Sequence, residues 1–113
     1  MALALNVFKT VTKVIPTDVV GIYTAPAGYS SVVLLAQATN IDSNTHTVSF
    51  SHQRTISGIA VTTEIVKNFA IPGNDTANLL SGKLVLESGD SLLLSSNNST
   101  SLKFIGSILE TLN

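Results

Sequence analysis

The sequence predicts an all-β protein: one antiparallel β-sandwich domain over residues 1–113, with about eight strands and jelly-roll-like connections. Three observations predict it. Apolar and polar residues alternate with period two through much of the chain, as in Leu3, Leu5 and Val7 or in Val48 and Phe50. Clusters of Gly, Pro, Asn, Asp and Ser recur at roughly ten-residue spacing, the pattern of a sandwich or barrel. No stretch carries a convincing helical period. An immunoglobulin-like sandwich satisfies the same pattern and stands as the alternative.

The first strand begins near Ala2, and residues 1–14 read as an extended arm or an edge strand. Parity blurs at Phe8 and Lys9 and resumes at Val11, Lys13 and Ile15, which predicts a bulge or two strands end to end. Pro16 closes the segment, because proline cannot donate to a central ladder. Residues 19–24 form a second strand, ended by the turn Ala25-Pro26-Ala27-Gly28. Residues 31–41 follow, apolar on both faces around VVLLA, and belong at the centre of a sheet. Residues 45–54 put Val48 and Phe50 on one face with His46 and His52, and Thr47, Ser49, Ser51 and Gln53 on the other.

Residues 55–60 contain Gly58 and read as a loop, a place for a partner-contacting tip. Val61, Thr63, Ile65, Phe69 and Ile71 then share one parity. Three turns follow within a short span, at Pro72-Gly73-Asn74-Asp75, Ser81-Gly82 and Ser88-Gly89-Asp90. Glycine and asparagine accept positive φ there, and Asp or Ser side chains bond the turn backbone. The last strand covers residues 102–112, with a bulge expected at Gly106 because apolar parity shifts from Leu102 and Phe104 to Ile105 and Leu109.

Composition narrows function. Charged residues make up 12% of the chain, against about 25% in ordinary soluble domains. Six basic and seven acidic residues leave a net charge of −1 with no basic cluster, which argues against a nucleic-acid footprint. The chain has no cysteine, which excludes a disulfide scaffold and any Cys-based metal or redox site. No apolar run is long enough for a spanning helix, and residues 1–13 lack the pattern of a signal peptide. So few charges imply a surface of Ser, Thr and Asn, surface buried against neighbours, or both.

Candidate chemistry is thin. Gly89-Asp90-Ser91-Leu92 spells the four-letter block in which GDSL hydrolases carry a nucleophilic serine, yet no histidine follows His52 to act as its base. Six residues of strand at about 3.3 Å each separate His46 from His52, too far to share a metal ion. Asp75 and Asp90 sit in turns, where they accept backbone N–H bonds; a calcium site at Asn74 and Asp75, or at Asp90, has no further ligands in its favour. Glu87 faces away from Leu84 and Leu86. Asn74 and Asn98 match the glycosylation acceptor pattern but read as ordinary loop composition. The dispersed aromatics read mostly as core. No catalytic, cofactor-binding or metal residue is assigned, no cofactor is expected, and the chain is expected not to be an enzyme.

Two segments carry a family resemblance. One is YTAPAG (residues 23–28), followed by VVLLAQATNI; the other is IPGNDTANLLSGKLVLESGD, with a terminal strand ending SILETLN. Together they resemble small β-sandwich virion proteins of tailed bacteriophages, especially those of marine and cyanobacterial phages. The likeness runs from Tyr23 to Asn113 and is weaker before it. It implies a non-enzymatic structural component located in the virion. The expected role is a capsid decoration or cement-type accessory protein. The alternative is a neck, tail or tail-fibre component, with residues 55–60 or 95–101 touching a host glycan. The expected partners are further copies of the chain, a trimer above all, and phage proteins such as the major capsid protein or tail and neck proteins. Neither nucleic acid nor membrane is expected as a partner.

Overall fold

In the computed structural model, which describes residues 5–113, nine strands follow one another without a helix among the described residues. They are β1 (Asn6–Val14), β2 (Val20–Thr24), β3 (Tyr29–Asn40), β4 (His46–Ile56), β5 (Ile59–Ile71), β6 (Thr76–Asn78), β7 (Leu84–Leu86), β8 (Ser91–Ser96) and β9 (Leu102–Leu112). Sheet one runs β1-β9-β3-β6, with β7 also paired to β3, and sheet two runs β2-β8-β4-β5. All pairings are antiparallel. β6 and β7 are two fragments of one edge position beside β3, so the sandwich has eight positions. The chain changes sheet at every connection except β4–β5 and β6–β7. This nested double-sheet connectivity is that of a jelly roll. An immunoglobulin-like order would put the second strand beside the first; here β2 lies in the opposite sheet.

The turns follow their residues. Tyr29 N–H donates to Pro26 O at 3.1 Å, with Gly28 at φ 82°, closing the expected turn after β2. Between β4 and β5 the loop is only Ser57-Gly58, both at positive φ (51° and 79°), the two-residue turn whose twist matches the flanking strands. The expected loop over residues 55–60 is therefore mostly strand. At Gly73 a Cβ would lie 2.2 Å from the Ser43 carbonyl oxygen, so only glycine lets these two loops touch.

The core lies between the sheets. Val33, Ala36 and Ala38 of β3 and Leu102, Phe104 and Ile108 of β9 face Val48 and Phe50 of β4 and Leu92 and Leu94 of β8. The Phe50 and Phe104 rings meet across the sandwich with centroids 5.7 Å apart.

Several expected details differ. β1 is one unbroken strand, in register with β9 of the same chain from Asn6↔Thr111 to Val14↔Lys103, with no bulge at Phe8. The alternation read at Ala2, Leu3 and Ala4 lies outside the described residues. The bulge expected at Gly106 is on β3 instead, where Leu34 is the extra residue between Val33↔Ile108 and Leu35↔Ser107. β9 keeps one parity throughout, burying Leu102, Phe104, Gly106, Ile108 and Glu110. Its apparent shift arose because the opposite face also carries Ile105 and Leu109. On β5, register shifts opposite Val48–Phe50 and Phe50–Ser51 set Val66 rather than Lys67 opposite the buried Phe50, and the parity returns by Thr63; Val61 and Phe69 keep it but are exposed on this edge strand. Phe8 is exposed too, so the aromatics are less uniformly core than expected.

Candidate functional site

The turn that spells Gly89-Asp90-Ser91-Leu92 holds a cluster of charged side chains. Its geometry comes from the β4–β8 register, which sets His52 opposite Leu92 and Gln53 opposite Ser91. Successive residues of a strand point to opposite faces. Asp90 therefore turns inward with His52, while Ser91 turns outward. The Asp90 carboxylate, 3% exposed, accepts from Arg54 Nε at 2.9 Å, Arg54 Nη2 at 2.6 Å, His52 Nε2 at 3.0 Å and the Glu87 backbone N–H at 2.9 Å. The Arg54 hydrogen bonds hold its pKa far below the usual carboxylate range despite burial, and the pair raises that of Arg54. A second ion pair joins Arg54 to Glu87 at 3.1 Å.

Ser91 Oγ lies 2.8 Å from Thr24 Oγ1, and His52 Nε2 is directed at Asp90. The serine and the histidine are thus on opposite sides of the sheet, without the hydrogen bond that would make the serine a nucleophile. A shallow cleft of about 270 Å³, lined by Arg54, Glu87 and Asp90 among others, opens beside the turn. With the Asp90 oxygens committed to these four donors, the arrangement pins the β7–β8 turn to β4.

A second polar group joins the two sheets. Tyr23 of β2 donates to Glu110 Oε2 of β9 at 2.5 Å, so the Ser31 hydroxyl at 2.8 Å acts as donor to the phenol. Lys9 Nζ lies 3.6 Å from the same carboxylate oxygen. Burial, then the Glu110 hydrogen bond, push the Tyr23 phenol up to about 12.

The remaining residues weighed in the sequence are local fasteners. His46 Nε2 bonds Asp42 at 2.8 Å, which lowers the Asp42 pKa, and Asp75 accepts the Thr76 N–H at 2.8 Å. Asn74 sits at φ 58° in its turn, and Asn98 organises its loop by accepting from Thr100 and Ser101. His46 and His52 each have their own carboxylate and do not come together. Among the described residues no cluster of His, Cys, Asp or Glu is arranged to hold a metal ion. Every buried side-chain polar atom among them has a hydrogen-bond partner. The role of Arg54 escaped the sequence reading, because only the β4–β8 register brings it to Asp90.

The outer surfaces differ more than the interior. On sheet one, Phe8↔Leu109↔Val32↔Val85 form one apolar row across four strands. On sheet two, the row Thr24↔Ser91↔Gln53↔Thr62 is polar, and Gln53 donates to Thr62 Oγ1 at 3.0 Å. The β4–β5 hairpin extends past Gln53, the last β4 residue paired to β8, so Ile56 and Ile59 stand exposed at its tip.

This architecture defines a double-sheet jelly-roll sandwich. No protein-family model matches the chain, and no curated protein matches it in sequence. Solved structures with a similar fold include a chain of the T13 IBDV viral particle, with TM-score 0.56 and 10% identity. That match covers 97% of this chain and 32% of the viral one, so this protein spans about a third of its length. A pilus protein of Bacillus endospore appendages is similar at TM-score 0.51 and 13% identity, covering 100% of this chain and 97% of that one. At these identities the likeness establishes the fold. The disulfide linkage of those pili has no counterpart here, since this chain lacks cysteine.

Proposed function

We propose that this chain is a non-enzymatic structural subunit of a bacteriophage particle, a capsid decoration or cement-type accessory protein that assembles through its sandwich surfaces. The observation that carries the reading is the pairing of a jelly-roll sandwich, similar to a chain of a viral particle over 97% of this sequence, with polar clusters whose hydrogen bonds fasten the fold. Arg54, His52 and Asp90 hold a turn; Tyr23 and Glu110 hold the two sheets together. The phage assignment itself rests on the resemblance carried by residues 23–28 and by the segment from Ile71 to Asp90. The partners would be further copies of the chain and the shell protein beneath them.

The protruding β4–β5 hairpin favours a second reading, a neck, tail or tail-fibre subunit that presents its tip to a partner or a host glycan. Mass spectrometry of purified particles, with cosedimentation of the recombinant chain on shells stripped of accessory proteins, tests the first reading. Saturable binding to shells is the expected result. Absence from particles would end both readings, and presence only in isolated tails would select the second.

A further inference from the structure

We infer that the outer face of sheet one is the surface through which two copies of this chain associate, packed sheet against sheet. The inference rests on the reading of the chain as an assembling subunit and names the surface it uses. Phe8, Leu109, Val32 and Val85 lie side by side in register, with Phe8 74% and Val85 59% exposed. The β3 bulge adds Leu34, and four residues from Leu109 along β9 comes Ile105, both exposed. Solvated sheets carry polar residues outward, as sheet two does. A contiguous apolar belt on an outer face marks a contact.

Charge and area identify the occupant as a second copy. On β1, β9 and β3, the described residues sharing the outward parity of this belt are Ser, Thr, Asn, Gln or apolar, with Lys103 the single charge. With so little charge on these three strands, a strongly charged partner finds few counter-ions, whereas a copy of the same face matches its apolar row. Across a twofold axis residue i meets j and j meets i. Lys103 stands near one end of β9, so apposed faces running in opposite directions keep the two lysines apart. Four strands about 4.8 Å apart and about nine residues long at about 3.3 Å each outline roughly 600 Å² per copy. The pair then buries about 1,200 Å², the lower bound for a stable specific interface.

Sedimentation velocity on the full chain tests this, with Phe8→Glu and Val85→Glu on the belt and Gln53→Glu and Thr62→Glu on sheet two as controls. All four residues are at the surface or half-buried, and circular dichroism checks that each variant keeps its strand content. The wild type should form dimers or multiples of dimers, and either belt variant should weaken association by at least about 100-fold, since it buries a carboxylate without a partner. The controls should associate like the wild type. A monomeric wild type, or association that survives both belt variants, overturns the inference. So does loss of association through Ile56→Glu alone, which would place the contact at the hairpin tip. Shell binding is read separately: a chain that dimerises through the belt yet is absent from particles refutes the proposed function and leaves this contact standing.

Discussion

On the outside of β1, β9, β3 and β7 stand Phe8, Leu109, Val32 and Val85; on the outside of β2, β8, β4 and β5 stand Thr24, Ser91, Gln53 and Thr62. Both rows are built on the same pleat and both back onto the same core. The difference lies in side-chain chemistry alone. Hydroxyls and amides bond one another along sheet two, as in Thr24–Ser91 and Gln53–Thr62, and suit a surface facing water. The aliphatic and aromatic row on sheet one gains free energy only when water leaves it, at roughly 25 cal/mol per Å². A strand therefore carries two messages, one for its own core and one for whatever lies beyond.

Replacing Phe50 should have the largest effect, because its ring meets Phe104 across the sandwich and supports both outer faces at once. Phe50→Ala should cost about 3–5 kcal/mol, measured by urea denaturation, and should degrade the two faces together. If only one sheet loses protection in hydrogen exchange, the sheets are less coupled than their shared core implies.

Asp90→Asn is next, at about 2–3 kcal/mol, since Arg54 and His52 lose the charge that holds them. The folded-state pKa of Asp90 is depressed, so its contribution is complete above the unfolded carboxylate value of about 3.9 and is lost as pH falls below it. Wild-type melting temperature should drop on acidification through that window, and the variant should show a shallower acid limb. This change belongs to sheet two, so association through sheet one should survive it.

Tyr23→Phe is the smallest of the three, about 1–2 kcal/mol for the lost bond to Glu110. The phenol is raised, so its contribution is full below about pH 10 and is lost as pH rises toward 12. Alkaline melting curves should show that loss in the wild type and not in the variant. An identical alkaline profile would mean that the two sheets are held together there by packing alone.

The sandwich itself was legible because period-two alternation and turn residues are local properties. Pro26, Gly28 and Asp90 announced their turns correctly. What escaped depends on which strands become neighbours. Gly106 looked like a bulge because Ile105 and Leu109 are apolar, and a reading that assumes one apolar face per strand cannot hold two. Arg54 carried no local signal, since only the His52↔Leu92 register brings it to Asp90, and Phe8 proved exposed although the aromatics read mostly as core.

The position of β9 governs how the protein comes into being. It is the last of the described strands, yet it lies between β1, the first, and β3, and supplies both of their long pairings. Until it emerges from the ribosome, β1 has no neighbour and β3 has only the short β6 and β7. Sheet one is therefore completed after synthesis of its final strand, by closure of some of the longest loops the chain contains, and topologies of this kind fold slowly. In that interval β1 and β3 are open edges, and the exposed apolar row they carry is a hazard in the nascent chain.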